Sequence, residues 1–224
     1  KMIIINSPHN PTGAVMTEDE IREVYEIAEY YDIYLLSDEV YARMVYEDTN
    51  TKFCSPSVYD QCRERTLIVH SFSKSYAMTG WRIGAITAPE KVIKRMSLLL
   101  ETITSCVSPF VQLGAVKAMT DSQEYVDRMI AEYRKRRDII VAGLNEIKGI
   151  SCLKPGGAFY VFPNIQNTGY TSEEFSRIVL EKANVATCPG IFFGTAAEGY
   201  VRFCFANSQS NIKEALDRIE DIFV

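Results

Sequence analysis

Apolar positions recur along this chain in two rhythms. Short unbroken runs, Met2-Ile3-Ile4-Ile5, Ile33-Tyr34-Leu35-Leu36 and Thr66-Leu67-Ile68-Val69, predict strands covered on both faces. Residues 81–87 predict another, stopped by Ala88-Pro89. Between them the spacing becomes helical. Thr17-Glu18-Asp19-Glu20 is a capping box, and Ile21, Val24, Ile27, Ala28 and Tyr31 follow on one face. A helix over 90–103 is expected to turn Val92, Ile93, Met96, Leu99, Leu100 and Ile103 inward. Another opens at Ser108-Pro109 and carries Val111, Ala115, Val116 and Met119. A long one spans 124–147, with Val126, Met129, Ile130, Tyr133, Ile140 and Leu144 along its seam.

After Gly149 the rhythm changes to a strand at 158–162, a helix at 172–183, a strand at 200–206 and a closing helix at 211–223. Strands alternating with helices imply an α/β class with a largely parallel sheet. The later segments imply a small α+β domain. The boundary is expected near residue 120, giving domains at 1–120 and 121–224.

Composition changes this picture little. The chain has 224 residues, 47% of them hydrophobic, and a net charge of −5. The length suffices for one large or two modest cores. The mild acidity argues against nucleic acid or an anionic membrane as the main partner. Arg134-Lys135-Arg136-Arg137 is spread around its helix and reads as a solvated face. No apolar run is long enough for a membrane span. The six cysteines and two histidines show no metal-ligand spacing. The thiols read as reduced and mostly buried, as in a cytoplasmic protein. The chain enters its first strand at once, so an amino-terminal part is expected upstream of Lys1.

Candidate chemistry gathers where predicted strands end. Ser71-Phe72-Ser73-Lys74 follows the run at 66–70. Phe72, Tyr76, Met78 and Trp81 surround Lys74 in sequence. Such burial favours the neutral amine over the cation, against a free-lysine pKa of about 10.4. A neutral amine can form a Schiff base with an aldehyde. Arg82 offers a planar fork for a phosphate, and Ser71 and Ser73 add hydroxyl donors. Together they suggest an aldehyde bearing a phosphate, for which pyridoxal phosphate is the candidate.

Other ends carry weaker signals. Asp38 ends the second strand and is either the partner of a protonated ring nitrogen or a helix cap. Tyr41 is either a donor to the ring oxygen or a packed aromatic. Asn10, before Pro11, either aims its amide at a ligand or serves a turn. Arg202 lies in an apolar run and needs an anion, either an internal carboxylate or that of a substrate.

These motifs share one order. Asn-Pro-x-Gly at 10–13, Ser-Asp-Glu-Val-Tyr at 37–41, Ser-Phe-Ser-Lys at 71–74 with Arg82 beyond it, Pro-Gly-Gly-Ala-Phe-Tyr at 155–160 and Val-Arg-Phe at 201–203 resemble class I/II aminotransferases. That group is aspartate-aminotransferase-like and of fold type I. The resemblance runs over nearly the whole chain. It implies part of a large pyridoxal-phosphate-binding domain, with a mainly parallel sheet, plus a small carboxyl-terminal domain. It implies Lys74 as the cofactor lysine and proton carrier, and Asp38 as the partner of the pyridinium. Asn10 and Tyr41 would meet the cofactor's phenolic oxygen. Ser71, Ser73 and Arg82 would hold its phosphate, and Arg202 the substrate α-carboxylate. It further implies amino-acid and 2-oxo-acid substrates and a homodimer. Members are usually longer, and the likeness is to their carboxyl-terminal portion. A carbon–sulfur β-lyase of the same fold, or a portion without activity of its own, are the alternatives.

Overall fold

A computed structural model describes residues 1–49 and 51–223. The chain divides into two compact units, one of Lys1–Pro8 and Val15–Asp127, the other of His9–Ala14 and Arg128–Val224.

The first unit is built on a four-stranded sheet in the order β1-β2-β3-β4 (Met2–Asn6, Tyr34–Asp38, Thr66–Ser71, Gly84–Thr87). The first three strands are parallel, as expected, and β4 runs antiparallel to β3. The strand predicted over 81–87 starts only at Gly84. Thr79–Trp81 is a single 3-10 turn, and Arg82 is left-handed at φ 53°. Gly84 is required there, because a Cβ would lie 2.7 Å from the His70 carbonyl oxygen.

Helix α1 (Glu18–Tyr30) starts at its capping box and covers one face of the sheet. Tyr25 and Ala28 pack with Leu35, Ile3, Ile5 and Tyr59. Ile27 and Tyr31, placed inward by spacing, are exposed, and Tyr25 takes the inward place. The expectation of strands covered on both faces fails at β1. Its residues alternate sides, and α1 shields only one side, so Ile4 stays 68% exposed.

Residues 43–65 contain a short helix, α2 (Ser57–Asp60), and a 3-10 turn. After β3 comes the single turn α3 (Phe72–Ser75). Helix α4 (Glu90–Thr104) forms as predicted but has no buried residue. Met96, Leu99, Leu100 and Ile103 face outward rather than inward. Helix α5 (Pro109–Thr120) buries Ala115, which packs on Phe72 and Met78, while Val116 and Met119 are exposed.

Helix α6 (Glu124–Glu146) carries the division between units after Asp127. In the second unit an antiparallel sheet has the order β5-β7-β6 (Tyr160–Val161, Val201–Cys204, Cys188–Pro189). The strands are shorter than predicted, and β6 lies in a stretch where no strand was expected. Helix α7 (Ser172–Ala183) has the predicted bounds and its own capping box at Thr171. Helix α8 (Gln209–Phe223) closes the unit. Leu144, Phe175, Val179, Val161, Val201 and Phe205 are fully buried. Arg137 is fully buried too, so the basic run at 134–137 is not one solvated face. A helix distributes consecutive residues around its axis, and the Arg137 position points to the core side.

Candidate functional site

The two inner strands of the first sheet bring most of the candidate residues to one edge. Strands β2 and β3 run parallel with Asp38 opposite Val69, so Asp38 and the Ser71–Lys74 turn lie at neighbouring carboxyl ends. In open α/β sheets this is where ligands bind. The Asp38 carboxylate accepts the backbone N–H of Val40 at 3.2 Å. Its carbonyl oxygen accepts the Asn6 side-chain amide at 3.0 Å and the Ser7 N–H at 3.3 Å. These bonds hold the strand end. Tyr41, one turn further, is buried.

Ser71 is the N-cap of α3, and its Oγ accepts the Ser73 N–H at 3.1 Å. Accepting that bond leaves the hydroxyl hydrogen for another acceptor. The register Ser71↔Gly84 continues as a bond from Phe72 N–H to the Ile83 carbonyl at 3.3 Å. Arg82 therefore flanks the serine–lysine turn from the turn that leads into β4. Its Nη1 donates to the Thr79 carbonyl at 2.9 Å, and the guanidinium is exposed.

Lys74 is half-buried, and its expected enclosure is only partly realised. Phe72 and Met78 are buried against Ala115, and Tyr76 stacks on Phe72 with centroids 5.3 Å apart. Arg43 donates to the Tyr76 hydroxyl at 2.9 Å. Trp81 stays 47% exposed, because it packs only one edge toward Gly114, where a Cβ would lie 2.7 Å from its ring.

Asn10 and Arg202 belong to the second unit. Residues 9–14 form a closed loop, with Gly13 N–H bonded to His9 O at 2.7 Å and His9 N–H to Ala14 O at 2.8 Å. The Ser7–Pro8 and Asn10–Pro11 peptides are cis. His9 Nδ1 meets Thr12 Oγ1 at 2.8 Å, and burial lowers its pKa. Arg202 on β7 donates from Nη1 to Asn10 Oδ1 at 2.9 Å. Its guanidinium carbon lies 4.7 Å from the Tyr160 ring centroid and 5.0 Å from that of Phe193. Among the described residues no carboxylate pairs with it. Aromatic faces and one amide oxygen orient a cation without neutralising it, which disfavours an internal carboxylate as its partner.

Some buried polar groups escaped the sequence reading. Glu39 is 3% exposed, accepts from Ser55 Oγ at 2.6 Å, and burial raises its pKa. Asp60 accepts backbone N–H groups from Cys62, Arg65 and Thr66 at 2.9–3.0 Å. No periodicity marks a residue whose role is to satisfy backbone donors in an irregular stretch. All six cysteines are free thiols. Burial pushes Cys62 up to about 11 and Cys152 up to about 12, so neither is a thiolate near neutral pH. Among the described residues no cluster could hold a metal ion, and no helix is long and apolar enough to cross a membrane.

The family described as aminotransferase class I and II matches residues 1–219. The chain belongs to that family. It is 44% identical over 226 residues to an aspartate aminotransferase of Pyrococcus horikoshii, covering 98% of this chain and 56% of that protein. It is 42% identical over 224 residues to aromatic-amino-acid aminotransferase 2 of Thermococcus litoralis, covering 99% and 57%. The solved aromatic aminotransferase of P. horikoshii superposes with a TM-score of 0.94 at 40% identity, covering 99% of this chain and 59% of that one. This aminotransferase chain thus spans somewhat over half the length of the relatives it matches.

Proposed function

We propose that the chain serves amino-group transfer between an L-amino acid and a 2-oxo acid, using pyridoxal 5'-phosphate. The pairing of β2 with β3 carries this reading, because it sets Asp38 and Lys74 at adjacent strand ends. The donor set fits the cofactor: an amine for its aldehyde, a carboxylate for its ring nitrogen, and an arginine with two serines for its phosphate. The residues divide the work. Asp38 keeps the ring nitrogen protonated. Ser71, Ser73 and Arg82 hold the phosphate, and Tyr41 and Asn10 donate to the phenolic oxygen. Arg202 would take the substrate α-carboxylate in its fork. The Lys74 amine would be the base that takes the substrate α-proton and the acid that gives it back. When bound, the cofactor supplies the electron-withdrawing ring that takes up the electron pair left behind.

Residues 1–120 are read as part of the large cofactor domain and residues 121–224 as the small carboxyl-terminal one. The apolar side chains exposed on α4 and α5 support association as a homodimer, and the reduced thiols a cytoplasmic setting. The test is borohydride reduction of the chain in the presence of pyridoxal phosphate, followed by peptide mass mapping. A reduced adduct on Lys74, absent in Lys74→Ala, is expected. An adduct spread over surface lysines, or none, overturns the reading. Where activity is present, a keto acid with a transferred amino group distinguishes transamination from β-elimination, which would release ammonia.

A further inference from the structure

Arg137 is the largest fully buried side chain in the molecule among the described residues, and no role above uses it. Its Nε and Nη2 both donate to Asp138 Oδ1, at 3.0 and 2.7 Å. Its Nη1 turns the other way, to the Pro155 carbonyl at 3.5 Å. Lys154 joins the same Asp138 oxygen at 3.1 Å. Asp138 is 45% exposed at its side chain, so this is a cation drawn into the core rather than a sealed ion pair. Burying a guanidinium is costly, and replacing a whole buried ion pair by apolar residues is often neutral or stabilising. Stability alone is therefore a poor explanation for its presence.

The geometry offers another. Pro155 opens the segment that runs to Tyr160, and α6 grips this segment twice. Arg137 holds its start, and Tyr133, one helical turn earlier, packs its ring 5.6 Å from that of Phe159. Between these grips Ala158 is left-handed at φ 55° with no exposed surface. A residue other than glycine persists there only when its surroundings hold it.

Asn10 and Arg202 rest on the same segment. Gly157 N–H donates to the Gly13 carbonyl at 2.9 Å. Gly13 has φ 69°, and a Cβ on it would lie 2.4 Å from Pro155 Cβ. The loop bearing Asn10 is thereby pressed onto the segment's first half. The ring of Tyr160, at its other end, lies under the Arg202 guanidinium. Asn10 and Arg202 meet each other at 2.9 Å.

We propose that Arg137 is a positioning residue: by fixing the 155–160 segment from α6, it sets the Arg202 guanidinium, through its contacts with Asn10 and Tyr160, in the arrangement that receives a substrate carboxylate. The proposal rests on the reading of Arg202 as the carboxylate clamp. It explains why an arginine is needed, since a fork can donate to Asp138 from Nε and Nη2 and to the Pro155 carbonyl from Nη1.

The test uses the full chain, with succinate as the carboxylate probe in titration calorimetry. Amide exchange at Gly157 and the thermal midpoint are measured alongside. Arg137→Met is expected to change the midpoint little, because Asp138 is half-exposed and keeps Lys154, to weaken succinate at least tenfold, and to speed Gly157 exchange at least tenfold. A merely structural role would lower the midpoint and leave affinity unchanged in the folded fraction. If Arg137→Met does not fold, Arg137→Lys, which keeps the charge and loses the fork, carries the same expectation for affinity and exchange. Arg202→Ala separates the two ideas. If it abolishes succinate binding while the folded Arg137 variant binds as the wild type does, the proposal is wrong and the clamp stands. If the wild type and Arg202→Ala do not differ, the clamp is wrong and the proposal falls with it.

Discussion

Helices α4 and α7 are both amphipathic in sequence, and they end in opposite situations. Helix α7 buries Phe175, Ser176, Val179 and Ala183 in the second unit. Helix α4, in the first unit, buries nothing, and Leu99 and Ile103 are 60% and 68% exposed. The same contrast runs through the units at large. The second closes a core around Leu144, Val161, Phe175, Val201 and Phe205, whereas the first leaves open the β1 side chains opposite α1 and the outer faces of α4 and α5. Apolar periodicity states that a helix has a face to bury. It does not state that the same stretch of chain provides the cover. The proposed chemistry divides along the same line, with most of the cofactor residues on the open unit and the Asn10–Arg202 pair in the closed one.

This comparison can be broken by mutation, and the largest effect is expected in the closed core. Phe175→Ala should cost about 3–5 kcal/mol in urea unfolding, while Leu99→Ala should stay within about 0.5 kcal/mol. Equal losses at the two positions would show that α4 is covered after all.

Next in size is Asp60→Asn in the first unit, expected to cost about 2–3 kcal/mol, because a carboxylate accepting several amides is replaced by a weaker acceptor. Its pH dependence has a definite sign. Burial by itself raises the Asp60 carboxyl, but the N–H groups of Arg65, Thr66 and Cys62 outweigh burial and hold its pKa below the ordinary value. Its contribution is therefore present above an unfolded pKa of about 3.9 and is lost as pH falls through the folded value. Acid titration of stability should flatten in Asp60→Asn.

Glu39 has the opposite sign, since burial raises its pKa. Its neutral form suits the fold, and stability should decline as pH rises above an ordinary carboxylate value of about 4.3. Glu39→Gln should remove that decline, so a variant that loses stability near pH 7 instead would show that the ionised form is the one the fold holds.

The smallest effect is the sharpest control. A capping box opens α1 at Thr17 in the first unit and α7 at Thr171 in the second. Thr17→Ala and Thr171→Ala should each cost about 1 kcal/mol. Matching losses would confirm that the units differ in tertiary cover and not in local helix chemistry.

Much was legible before any coordinates. The capping box at Thr17, the strand runs and the bounds of α7 follow from side-chain period and hydrogen-bonding chemistry within a few residues of each other. The ordered motifs around Asn10, Asp38, Lys74 and Arg202 likewise announced the family, because each pairs a strand end with a characteristic donor. Less was legible where a position depends on distant chain. Arg82 was expected inside a strand and instead takes a left-handed turn before Gly84, where His70 leaves no room for a Cβ. Arg137 sat in a run of charges that any count would assign to solvent.

The sequence by itself determined most of the helices and parallel strands and which side chains bring chemistry, since those depend on neighbours along the chain. Only the tertiary structure decided which apolar faces are covered, that β4 opposes β3, and that Arg137 is held inside beneath the Pro155 segment. Those outcomes depend on residues far apart in sequence arriving at one place, and burial is a property of that arrival rather than of any residue type.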